Sequence, residues 1–192
     1  MTTTLTDRFG RTIEYIRLSV TDRCDLRCFY CMPKGFNDFE VPDNWLTFDE
    51  IERVIAAFAE LGVAHVRITG GEPLVRKGIE DLSSRLSSIN GITDLSLSTN
   101  GIRLRKIAPA LAQAGIGRIN VSLDTLQKER FQSITGGKIE KVFAGLEAAR
   151  NAGLAPIKLN MVAMKGVNDD EYIDVAQYCM EKGFSLRFIE TM

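Results

Sequence analysis

The sequence predicts a parallel α/β fold, either a doubly wound open sheet or a (βα)-type barrel or partial barrel. Three observations lead there. Short strand-like runs alternate with helical runs along the chain. Glycine, or an Asn-Gly pair, punctuates most of the changes. The 192 residues are 45% apolar and 26% charged, the balance of one soluble globular domain rather than a disordered or membrane-spanning chain. A simple dinucleotide-binding fold is disfavoured, because no G-x-G-x-x-G follows the first strand. A cysteine-bearing loop follows it instead.

The first strand is expected from Glu14 to Thr21, where polar and apolar residues alternate. Residues 22–46 read as a long loop. Thr47 opens a helix, since Thr47 and Glu50 have capping-box spacing. Ile51, Val54, Ile55, Phe58 and Leu61 follow at helical intervals, and Gly62 ends the helix. The second strand is Ala64 to Thr69, stopped by Gly70-Gly71. A helix over 78–89 and a strand over 93–99 follow, then a helix over 104–114 and a strand over 118–123. The next helix carries Ile139, Val142, Leu146 and Ala149 on one stripe. A fifth strand covers 157–163. Asn168 and Glu171 open a last helix, with Cys179 on a stripe with Tyr172, Ile173 and Ala176, and a sixth strand covers 184–189. Six strands and five connecting helices are predicted.

The strands do not read as the continuous apolar runs of a sheet buried on both faces. Arg17, Ser19 and Thr21 alternate with Ile16, Leu18 and Val20. Arg67 and Thr69 alternate with Val66 and Ile68, and Ser96 and Ser98 with Leu95 and Leu97. Asn120, Ser122 and Asp124 alternate with Ile119, Val121 and Leu123, and Lys158 and Asn160 with Leu159 and Met161. Burying so many polar groups without partners would cost about 1–3 kcal/mol each. A curved sheet with a wet, polar concave face avoids that cost. Arg17, Arg67 and Lys158 add positive charge there, which suits an anionic ligand such as a phosphate ester.

Cys24, Cys28 and Cys31 lie within eight residues on the first loop, and Cys179 is far away. A disulfide framework wants an even, dispersed set, so a reducing cytoplasm is the expected compartment. Met1 to Thr4 lacks the basic and apolar regions of a signal peptide. Arg23 and Arg27 are expected to favour the thiolate form. Three thiolates admit three readings: reduced cysteines without metal, a zinc site, or an iron–sulfur cluster. Structural zinc takes four ligands, and His65 is the only histidine. A cluster normally takes four cysteines, so three would leave one iron open for another ligand. Thr69-Gly70-Gly71-Glu72-Pro73 is a place where backbone can approach a ligand closely. Arg103, Arg105 and Lys106 read as a solvated helix face, and Met161, Met164 and Met180 as core or loop residues. The net charge of −1 gives no global pull toward nucleic acid.

Cys24-x3-Cys28-x2-Cys31 with Phe29-Tyr30 inside it, followed by Gly70-Gly71-Glu72-Pro73, resembles the radical S-adenosylmethionine (SAM) enzymes. Asp7 to Arg11, Tyr15 to Cys24, Cys31-Met32-Pro33 and Arg67 to Arg76 resemble the GTP 3′,8-cyclase family among them, which serves molybdenum cofactor biosynthesis. The similarity runs through Arg187 to Glu190.

The resemblance implies a partial (βα)6 TIM-type barrel over residues 1–192. It implies that Cys24, Cys28 and Cys31 hold three irons of a [4Fe–4S] cluster and that SAM binds the fourth. The backbone near Tyr30 would meet the SAM adenine, Gly71 its amino group and Ser122 its polar end, with Met192 a further SAM contact. Arg17, Arg67, Ser98 and Lys158 would hold GTP. SAM cleavage would yield a 5′-deoxyadenosyl radical that takes hydrogen from the ribose C3′ of GTP, after which that carbon bonds to guanine C8. An electron donor such as a flavodoxin or ferredoxin is implied, and a homodimer is compatible; nucleic acid and membrane partners are not expected. Two residues depart from the family pattern: Asp25 where asparagine is common, and Ser98 where threonine is usual. The family also carries a second three-cysteine cluster in a C-terminal extension, which residues 1–192 do not contain. Two alternatives remain at this point: another radical SAM enzyme, and a zinc-stabilised binding module without catalysis.

Overall fold

The computed structural model describes residues 4–32, 35–39, 43 and 45–190. Six parallel strands form one sheet in the order β1-β2-β3-β4-β5-β6. They are β1 (Tyr15–Ser19), β2 (His65–Thr69), β3 (Asp94–Thr99), β4 (Arg118–Ser122), β5 (Ile157–Ala163) and β6 (Ser185–Glu190). The strands pair only with their sequence neighbours, and β1 does not meet β6, so the sheet is an open, partial barrel. A doubly wound sheet would reverse direction at a switch point. Here each crossover steps the same way, and right-handed crossovers then put every helix on one face.

The helices are α1 (Phe48–Glu60), α2 (Ile79–Ser87), α3 (Leu104–Gln113), α4 (Lys128–Thr135), α5 (Ile139–Asn151) and α6 (Tyr172–Lys182). α1 starts at the expected capping box: the Glu50 amide donates to Thr47 Oγ1 and the Thr47 amide to the Glu50 carboxylate. Two expectations need correction. The described residues form six α-helices where five are predicted, because α4 stands between β4 and α5. Its mixed sequence, KERFQSIT, buries only Phe131, Ile134 and Thr135, too few positions to show a stripe. The turn at Asn168–Glu171 is a 3-10 segment, and α6 proper starts at Tyr172.

The apolar alternates of the strands are the core. Val66, Ile68, Leu97, Ile119, Val121 and Leu159 have no exposed surface, and they pack with Ile55, Leu82, Leu111 and Leu146 of the helices. Cys179 is buried in this core beside Val175, as expected of a small apolar side chain. Ile173 is not on its stripe; it is 80% exposed, as is Met180 at 81%, and Val54 of α1 is also exposed.

The loops above the sheet are tied by buried polar groups. Asn168 is fully buried; its Nδ2 donates to the carbonyls of Asp124 and Val162 (2.8 Å each), and its Oδ1 accepts from the Met164 amide (2.8 Å). Glu171 accepts from Thr125 Oγ1 and the Leu126 amide and pairs with Arg130 of α4. The β4–α4 loop is therefore held by the β5–α6 loop. Asn168→Ala strands two carbonyls and an amide, and should lower unfolding free energy in urea by about 3 kcal/mol or more, since each orphaned buried group costs about 1–3 kcal/mol.

Candidate functional site

The site begins where β1 and β2 end. Their pairing continues past both strands: Val20 N donates to Thr69 O (2.9 Å), Gly71 N to Thr21 O (2.7 Å) and Glu72 N to Arg23 O (2.7 Å). Gly70 has φ +155°, and a Cβ on it would stand 2.5 Å from Thr21 O; one on Gly71 would stand 2.5 Å from Arg23 O. Only glycine lets the two segments approach this closely. The cysteine loop thus leaves β1 with its first residues locked to the glycine turn.

The far side of the loop rests on α4. Arg27 N donates to Thr135 O (2.8 Å) and Phe29 N to Ile134 O (3.1 Å). Leu26 is buried, and Gly137 gives it room: a Cβ there would lie 2.5 Å from Leu26 Cδ2. Within the loop, the amides of Cys31 and Met32 both donate to Cys28 O (3.0 Å each). Tyr30 crosses the barrel mouth and donates to Asp124 Oδ2 (2.6 Å), whose Oδ1 accepts from Val162 N (2.9 Å). Sequence reasoning missed this clamp from β1 to β5; the only sign of it was the parity of Asp124 with the polar face.

Cys24 Sγ accepts from Leu26 N (3.4 Å) and Asn100 Nδ2 (3.7 Å). Asn100, just past β3, also binds Asp25, which pairs with Arg103 (2.8 Å). Asp25 therefore has donors enough to stand where asparagine is common. Glu72 is buried; it accepts from Leu74 N, Thr99 Oγ1 and Asn100 N. Burial pushes its carboxyl up to about 7, against the pull of those three donors.

Burial also raises the thiols of Cys24 and Cys28, the latter to about 12. The expectation that Arg23 and Arg27 favour the thiolates is corrected. Arg27 Nη1 is spent on the carbonyls of Cys24 and Leu26, and the Arg23 guanidinium stacks on Phe39 and Trp45. Protonated, desolvated thiols gain their thiolate character from a metal that displaces the proton.

Cys24, Cys28, Cys31, Gly70 and Gly71 line one cavity of about 280 Å³ at the carboxyl ends of the strands. Among the described residues no three His, Cys, Asp or Glu side chains converge on a single ion. His65 begins β2 at the other end of the sheet, with its Nδ1 3.7 Å from Asp94, and Cys179 is buried in α6. A fourth cysteine or histidine ligand is therefore not at hand, which weighs against structural zinc.

Below the cavity the polar alternates face one way. The pairing sets Arg17 beside Arg67, Arg67 beside Ser96, Ser98 beside Asn120, Asn120 beside Lys158, and Ser122 beside Asn160. Arg67 is bound by Asn120 (3.0 and 3.2 Å, with the amide oxygen toward it) and lies over the Tyr15 ring. Its charge is less favoured than an ordinary arginine's, through burial and the nearby guanidiniums of Arg118, Arg17 and Arg187. Among the described residues, the buried side-chain atoms without a hydrogen bond are His65 Nδ1, Arg118 Nε and Asn160 Oδ1, and all three belong to this face. Met192 lies outside the described residues.

Residues 18–179 match the family model of the radical SAM superfamily. The chain belongs to that superfamily. It is 52% identical over 190 residues to the GTP 3′,8-cyclase of Hydrogenovibrio crunogenus and 50% identical over 187 residues to that of Heliobacterium modesticaldum. These matches cover 98% and 97% of this chain, but the chain spans only 57% of the length of either relative. In fold it is similar to SuiB of Streptococcus suis, solved with S-adenosylmethionine (TM-score 0.78, 20% identity, 94% of this chain and 41% of that one). A second solved neighbour is anSMEcpe with bound AdoMet (TM-score 0.74, 20% identity, 94% of this chain and 51% of that one).

Membership of the radical SAM superfamily implies a [4Fe–4S] cluster and SAM. The residues present fit that pair: three thiols on one cavity leave a cluster with an iron free for another ligand, and the glycine turn forms part of the same wall. Among the described residues no helix is long and apolar enough to cross a membrane. Gly71→Ala should push the loop away from β2. Amide exchange at 22–32 is expected to speed up and bound iron to fall, while far-UV circular dichroism stays unchanged.

Proposed function

We propose that this chain is the radical SAM core of a GTP 3′,8-cyclase. The observation that carries the reading is the shared cavity of Cys24, Cys28, Cys31 and the glycine turn, opening over a polar face rich in arginine. The cyclase relatives, half identical over nearly the whole chain, support the substrate.

In this reading Cys24, Cys28 and Cys31 hold the cluster, and residues 1–192 form one core domain. The family's second cluster would lie in a C-terminal part outside these residues. The backbone at Tyr30 lies against the SAM adenine. Gly71 has already given its N–H to Thr21, so its carbonyl is the group that accepts from the SAM amino group. Ser122 is exposed at the end of β4 and meets the SAM polar end, and Met192 adds a contact. When bound, the cluster and SAM would supply the radical chemistry by which the ribose C3′ of GTP is activated for bonding to guanine C8. Arg17, Arg67, Ser98 and Lys158 hold the nucleotide. Arg67 is already oriented by Asn120, so it loses little freedom when it engages an anion. The unpartnered Asn160 Oδ1 is an acceptor for a ligand donor on the same face. A cytoplasmic setting, a flavodoxin or ferredoxin as reductant, and a homodimer complete the proposal.

Cys28→Ala, reconstituted anaerobically with iron and sulfide, should hold no [4Fe–4S] cluster and release no methionine from SAM; cleavage retained by that variant rejects the ligand assignment. Arg17→Ala in the complete enzyme should weaken GTP binding by about tenfold, the scale of one charge-assisted contact, while iron content is unchanged. Loss of iron there would make Arg17 structural. Equal binding of GTP and ATP by the wild type would favour another radical SAM activity.

A further inference from the structure

Beside the cysteine loop, on the helical side of the sheet, lies a hollow of about 530 Å³ lined in part by Asp25, Arg103, Arg105, Lys106, Glu140 and Lys141. A second, of about 330 Å³, shares Glu140 and Lys141 with it and adds Lys128 and Lys138. Together they form one face across the starts of α3, α4 and α5. It carries six cations against two carboxylates, on a chain whose net charge is −1. Both carboxylates are already engaged, Asp25 with Arg103 (2.8 Å) and Glu140 with Lys128 (3.1 Å). Among the described residues no ion pair neutralises Arg105, Lys106, Lys138 or Lys141, and all four are exposed.

This face touches the cysteine loop at two points. Arg103 binds Asp25, whose other oxygen is held by Asn100, and Asn100 donates to Cys24 Sγ. On the other flank, Gly137 packs on Leu26. A body seated on the patch therefore sits one side chain away from the residues that hold the metal.

We propose that this basic face is the landing site of an acidic electron-carrier protein that reduces the cluster. The inference rests on the cluster reading above, because reductive SAM cleavage needs an electron that the chain does not supply. In the step, the reduced carrier loses one electron and the cluster gains it; no bond or proton is exchanged. The arrangement of charge favours a protein over a small anion. The cations are spread over three helices on exposed stems, whereas a phosphate site gathers donors onto one point. Separated like charges around an open hollow attract and orient an acidic surface, chiefly raising the association rate.

The test uses a reduced acidic flavodoxin as the probe and dithionite as the small reductant. Variants are Lys106→Glu, Lys141→Glu and the pair, at side chains outside the Asp25–Arg103–Asn100 hydrogen bonds that reach Cys24. In stopped flow, bleaching of cluster absorbance by flavodoxin should slow by about tenfold or more in the pair, and the wild-type rate should fall steeply with salt. Reduction by dithionite should be unchanged. Titration of flavodoxin against the protein before iron loading should show the same weakening, a readout that needs no cluster. Failure of the wild type to take up iron would sink the cluster reading, while the titration would still judge the surface. Flavodoxin binding indifferent to the charge reversals overturns the proposal. So does slowing by the same factor with dithionite. Saturable binding of pyrophosphate lost in the same variants, with flavodoxin binding intact, reassigns the face to a small anion and also overturns it.

Discussion

Two backbone hydrogen bonds decide where the cysteines stand: Gly71 N to Thr21 O and Glu72 N to Arg23 O. Each contributes only about 1 kcal/mol net, but together they extend the β1–β2 ladder beyond the strands and fix the direction in which the loop departs. Their geometry demands backbones so close that a side chain on either glycine would overlap a carbonyl. The glycine turn is therefore first a clamp on the metal loop and, in consequence, a wall of its cavity. The clamp has a second jaw. Glu72, the next residue, reaches Thr99 at the end of β3 and Asn100 just past it, and Asn100 in turn reaches Cys24. A short sequence at the end of one strand thereby registers its neighbours on both sides.

The sheet divides the molecule by polarity, and the division follows from topology. Sequential strand order with a single handedness leaves one face to the helices and the other without them. Period-two alternation then sends most apolar strand residues under the helices and most polar ones to the bare face. That face could be satisfied by its own hydrogen bonds, as Arg67 and Asn120 partly are. Yet the orphaned buried atoms of the described residues all fall on it. A fold that hydrogen-bonds Asn168 completely inside a loop does not lack the means to satisfy Asn160. His65 and Arg118 lie beside Asp94, which leaves Asn160 as the polar group the sheet itself does not answer.

Much of this was legible because the signals are local. The alternation of residues 15–19 and the spacing of the cysteines need no tertiary information, and neither does the capping box at Thr47. What escaped was set by contacts across the chain. α4 has a weak stripe and owes its place to the ion pairs of Arg130 with Asp170 and Glu171, and to the loop it supports. The Tyr30–Asp124 bond joins residues 94 apart in sequence. The arginines at 23 and 27 looked like thiolate partners because they flank the cysteines, but neighbours in a loop need not face one another. Stacking and carbonyl contacts took both guanidiniums, and burial was left to set the thiols.

Register also gives the concave face a direction. Arg17, Arg67 and Arg118 share one level, mid-strand in β1 and β2 and at the start of β4, and the cysteine cavity lies past the carboxyl ends. From Arg67 to Gly71 is four residues, about 13 Å at 3.3 Å per residue. Between these levels β3 and β4 line the face with uncharged Ser98, Asn120 and Ser122, while Lys158 stands beside Asn120 and Arg187 beside Asn160. The acidic groups at the upper end are Glu72 and Asp124, whose carboxyls burial pushes above the usual range. Positive charge therefore runs across β1, β2 and β4 at one level and climbs along β5 and β6, and the β3–β4 wall above that level is uncharged. The register of the strands alone sets this asymmetry of charge.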